Sequence, residues 1–132
     1  MTTYDEVWRL FLSVAKMPQH DLPNTDRQIY DLIEHATLLY NNEIGTNITT
    51  NEVTETFDKI LSGDEKLIIA HYIRLMVLQN QLTFFQTTYQ PFAKDITMSN
   101  FNTQLRTLQN AVRDEEQKIL DLLANSEDDF LW

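Results

Sequence analysis

The chain has 132 residues, with 20 acidic against 10 basic side chains, a formal charge of -10, only 2 Gly and 3 Pro, and no Cys. The missing Cys excludes a disulfide framework, a thiolate nucleophile and Cys-ligated zinc, and acid spread along the chain without any Lys/Arg cluster repels phosphates, which argues against sequence-specific nucleic-acid binding. A chain of this length needs one core, and so few turn-forming residues favour long helices, so the reading is all-α: a helical bundle over residues 1–125 followed by an acidic-aromatic tail, 126–132.

Thr2 or Thr3 can cap a first helix to about Lys16, with Asp5 and Glu6 in its first turn where the helix dipole favours anions. Tyr4, Val7, Trp8 and Phe11 recur at helical spacing and form a broad apolar face. That face suits either the core or a partner, and its aromatics Tyr4, Trp8 and Phe11 make it a candidate contact surface. Acid at the N-terminus stands where a secretory leader would carry basic residues.

A loop from Pro18 to Asn24 holds His20 beside Asp21, without a second His or Cys at ligand spacing. Asn24 or Thr25 opens a second helix to about Asn42, with Ile29, Leu32, Ile33, Ala36, Leu39 and Tyr40 on one face, and Gly45 supplies its stop. The pattern Val53, Phe57, Ile60, Leu61 predicts a short third helix capped by Thr50.

The chain is organised around Ser62 to Tyr89. Ser62 and Glu65 have the spacing of a capping box, and the apolar residues that follow fall on nearly every face, so the helix has to be enclosed by others. It spans about 40 Å and stops before Pro91. His71 and Arg74 interrupt the apolar run, which is too broken to cross a membrane. They suit a satisfied core histidine with a snorkelling arginine, or a buried polar pair completed by an acid from another helix.

Phe92 to Met98 carries its own apolar side chains and is expected to fold back on the bundle. Ser99 caps the last helix, where Phe101, Leu105, Leu108, Val112, Glu115, Ile119 and Leu122 alternate steps of four and three, a coiled-coil-like seam with one acidic intruder. The short connector makes this helix antiparallel to the central one. The acid at Glu115 leaves two readings of the far half: an intramolecular seam, or an extension that meets another chain. The tail ends in Phe130, Leu131 and Trp132, a second candidate contact.

No nucleophile elbow, metal motif, dinucleotide fingerprint or phosphate loop is present, so the reading is a non-enzyme with no catalytic residue, cofactor or metal. In Ser62-Gly63-Asp64-Glu65, the aromatic-rich central helix, the turn Tyr89-Gln90-Pro91-Phe92 and the long terminal helix, the chain resembles small helical head-tail connector proteins of tailed bacteriophages. The resemblance implies a homo-oligomeric ring, often twelvefold, in the virion neck between the portal and the tail or tail-completion proteins, assembled in the host cytoplasm. It also implies an acidic lumen past which DNA slides. The alternative is a small acidic regulator that occupies a basic nucleic-acid-binding protein in place of phosphates.

Overall fold

The computed structural model describes residues 1–18, 21–89 and 98–130, and the side chains of these except 88, 89, 98–100 and 126–130. Four helices, α1 (Tyr4–Ala15), α2 (Asp26–Ile44), α3 (Gly63–Tyr89) and α4 (Met98–Phe130), are joined by one small hairpin, β1 (Thr50–Asn51) and β2 (Thr56–Phe57). The expected all-α bundle with a long central helix is the architecture found.

The first two helices begin and end where local chemistry dictates. Thr3 Oγ1 accepts the Glu6 amide at 3.3 Å and Thr25 Oγ1 accepts the Gln28 amide at 3.3 Å, each serving a donor that a helix start leaves unpaired. Lys16 ends α1 in the left-handed region at φ 51° and Gly45 ends α2 at φ 84°, its amide donating to Asn41 O at 2.7 Å. The Asn41 side chain then holds the following loop, donating to Ile48 O at 2.9 Å and accepting the Ile48 amide at 3.1 Å.

Between Thr50 and Leu61 the fold departs from the helix that the sequence predicts. Asn51 Oδ1 accepts the amides of Val53 (2.9 Å) and Thr54 (3.3 Å), a local turn that competes with helical bonding, and Glu55 takes φ 56°. The strands then pair Thr50 with Phe57 and Asn51 with Thr56. The N-terminus supplies a third, strand-like edge. Phe57 N–H donates to Thr2 O and Tyr4 N–H to Glu55 O, both at 2.9 Å, and Leu61 N–H reaches Thr2 Oγ1 at 2.7 Å. The apparent helical stripe is thereby divided: Phe57 and Leu61 are buried, whereas Val53 and Ile60 are 92% and 77% exposed.

The capping box of α3 is present in both directions, Glu65 N–H to Ser62 Oγ at 3.1 Å and Ser62 N–H to Glu65 Oε1 at 3.0 Å. From Ile68 to Leu78 nearly every apolar side chain is buried, because α1, α2 and α4 all pack on this one helix. Enclosing each Ile or Leu stabilises the fold by about 1.5–3 kcal/mol, so this stretch is the centre of the core. The α3–α4 pair is antiparallel: His71 meets Glu115, and Phe85 stacks on Phe101 with ring centroids 5.3 Å apart, so positions fall along α4 as they rise along α3. Helix α4 begins at Met98, which puts Ser99 inside its first turn and not ahead of it. The expected fold-back of Phe92 to Met98 lies almost wholly outside the described residues. No helix among the described residues is long and apolar enough to cross a membrane.

Candidate functional site

His71 and Arg74 are one turn apart and therefore share a face of α3, and the acid that completes them comes from α4. The Glu115 carboxylate takes His71 Nδ1 on one oxygen at 2.6 Å and the Arg74 guanidinium on the other at 2.5 Å. A carboxylate oxygen only accepts, so Nδ1 of His71 is the donor in that bond. Arg74 Nε also donates to the carbonyl of Ala15 at 3.2 Å, a group at the end of α1 that the helix leaves without a partner. One buried cluster therefore ties the C-terminus of α1, the middle of α3 and the middle of α4. The Glu115 side chain is 4% exposed and that of His71 10%; charge at that depth is retained only when it is paired and hydrogen-bonded.

The face of α1 is turned inward. Tyr4 and Phe11 are fully buried and Trp8 is partly buried against the core, so two of the three aromatics offered as a contact surface are spent on the chain's own packing. The Tyr4 ring meets Tyr30 and Phe57 edge-on, with centroids 5.4 and 5.5 Å away. Its hydroxyl donates to Glu34 Oε1 at 3.0 Å, and burial pushes its pKa up to about 12. The side chains of Phe130, Leu131 and Trp132 lie outside what the structure describes.

Around Glu34 the carboxylate oxygens of Asp31, Glu34 and Glu52 lie within 4.8 Å of one another. Burial raises the Glu34 carboxyl above its ordinary range; the Tyr4 hydroxyl works against the shift and Glu52 adds to it. The cluster already has a cation, since Arg27 contacts Glu52 at 3.0 Å and Asp31 at 3.3 Å. Tyr30 hydrogen-bonds Glu55 close by.

Two of the grooves among the described residues lie beside α3. One, of about 500 Å³, lies between the start of α2 and the second half of α3, floored by Leu22, Leu32, Met76 and Val77. His35, which falls off the apolar stripe of α2, is on its lip with Asp31. The other, of about 270 Å³, runs between α2 and α4 over Tyr72 and Leu75. Sequence reasoning anticipated neither, because each is a gap between helices whose relative placement local pattern does not state. Among the described residues no buried side-chain nitrogen or oxygen lacks a hydrogen-bond partner.

The chain belongs to the YomZ prophage protein family, whose sequence profile matches residues 1–128. It is 38% identical over 131 residues to the SPbeta prophage-derived uncharacterized protein YomZ of Bacillus subtilis (strain 168), an alignment covering 99% of this chain and 100% of that protein. No solved structure matches.

Proposed function

We propose that this prophage-family protein is a non-enzymatic virion assembly component, a head-tail connector whose copies form a ring between the portal and the tail or tail-completion proteins. The observation that carries the reading is the distribution of apolar surface. Among the described side chains each helix keeps one large apolar residue in water: Leu12 on α1, Leu38 on α2, Phe84 on α3 and Leu120 on α4, between 46% and 63% exposed. A ring subunit needs two different lateral surfaces and a third for the next component along the axis, and apolar contacts on four helices supply several directions at once. Membership of a prophage family supports the same class of role. A ring built from chains of charge -10 would face DNA with repulsion and leave it mobile.

The test is light scattering and negative-stain microscopy of the purified chain, alone and with its prophage portal. A closed ring, or a complex that forms only on the portal, is the expected result; a monomer indifferent to the portal overturns the reading. The net charge favours a second reading, an acidic regulator of a basic nucleic-acid-binding protein. A small, salt-sensitive complex with such a partner, and no ring, would select it.

A further inference from the structure

Helices α2 and α4 both rest on α3, yet neither packs on the other as each packs on α3. The groove left between them is floored by Tyr72, Leu75, Ile119 and Leu123, all buried to within 8% exposure, and overlooked by Leu120, which is 54% exposed. Among the described residues its charged lining is Glu43 on the α2 side and Glu116 on the α4 side, without a Lys or Arg. The ion pairs found among the described residues engage neither carboxylate. The Glu43 charge is felt at the floor, where burial first and Glu43 second raise the pKa of Tyr72.

From this geometry we infer that the α2–α4 groove is a docking site for an amphipathic helix of another protein, one that carries an aliphatic stripe flanked by Lys or Arg. Three observations select that occupant. The trough lies between two helices on a third, which is the shape a further helix fills. Its floor is apolar while both walls carry acid, so apolar anchors with cations on either side match it. A second copy of this chain is a poor candidate, because it brings a charge of -10 and no Lys/Arg cluster. The tail offers Phe130, Leu131 and Trp132 as anchors but leads with Glu127, Asp128 and Asp129, placing acid against Glu43 and Glu116. The inference rests on the adaptor reading only in supposing that the partner belongs to the same particle.

The experiment titrates the full-length, isotope-labelled chain with three synthetic peptides: a helix with Leu at i, i+4 and i+7 flanked by Lys, the same helix with Glu for Lys, and residues 126–132 of this chain. The expected result is saturable shifts confined to the groove with the Lys peptide, and binding of the Glu peptide at least about tenfold weaker. The double variant Glu43→Lys/Glu116→Lys, altered at two exposed positions, should reverse that order, and Leu120→Asp should abolish binding. The inference is overturned by shifts outside the groove, by equal binding of both helices, by no saturation up to about 1 mM Lys peptide, or by tighter binding of the 126–132 peptide. Ring formation is scored separately. A ring without peptide binding removes this site and leaves the connector reading, and binding without a ring does the reverse.

Discussion

His71 on α3 and Glu115 on α4 stand 2.6 Å apart inside the bundle, and Arg74 closes the other side of the same carboxylate. Truncating one member strands the remaining charge in a low-dielectric interior, whereas removing all three together does not. Glu115→Leu should therefore cost about 3–5 kcal/mol, while the triple variant His71→Leu/Arg74→Met/Glu115→Leu should be near neutral or more stable. Urea unfolding of the two proteins checks this; equal destabilisation would mean the cluster holds the fold by its own attraction.

The hairpin makes a second prediction, because it assigns opposite fates to residues that a helix would place together. Phe57→Ala should cost about 3–5 kcal/mol through lost burial and a residual cavity, whereas Val53→Ala, at a side chain 92% exposed, should stay within about 0.5 kcal/mol. Thermal midpoints of the two variants suffice.

Backbone conformation gives a third. Lys16 pays for φ 51° with a side chain that crowds its own carbonyl, and Gly45 sits at φ 84° without that crowding. Lys16→Gly should stabilise by about 0.5–1 kcal/mol and Gly45→Ala should destabilise by about 1 kcal/mol. Nothing lies within 4 Å of a methyl added at Gly45, so the loss there would be conformational alone.

The fourth concerns acid. Burial alone would raise the Glu65 carboxyl, but the Ser62 amide and Lys59 outweigh it and hold the folded value below the ordinary 4.5. A depressed carboxylate contributes stability that is complete above 4.5 and is lost as pH falls through the lower folded value. Glu65→Gln keeps an acceptor for the Ser62 amide but gives up the charge and the Lys59 pair, and should therefore be less stable than the parent by up to about 1 kcal/mol at neutral pH. The gap should shrink below pH 4.5. A gap that is constant with pH would separate Glu65 from the acid response.

Much of this fold is legible because its signals are local. Ser62 and Glu65 sit three residues apart, Gly45 follows the last apolar residue of α2, and a helix apolar on every face demands enclosure whatever surrounds it. The seam on α4 is also real, with Phe101, Glu115 and Ile119 buried in line, although Leu123 takes the deep position that spacing gave to Leu122. What was not legible depended on distant partners. Val53, Phe57, Ile60 and Leu61 have helical spacing, but Phe57 is fixed by Thr2, far away in sequence, and Asn51 turns the chain first. An acid from another helix was one of two readings for His71 and Arg74, but which acid it is was not legible, since Glu115 reads only as a flaw in its own stripe until α3 and α4 are laid side by side.

The bond from Leu61 N–H to Thr2 Oγ1, with the strand-like pairing of residues 2–4 beside it, has a consequence for synthesis. A ribosome releases Thr2 long before Leu61, so α1 emerges with its aromatic face uncovered and no edge to seat its start. Docking waits until the hairpin has left the exit tunnel, and the wall formed by α3 comes later still. During that interval the aromatic face of α1, with Trp8 and Phe11, lacks the partners that cover it in the folded chain.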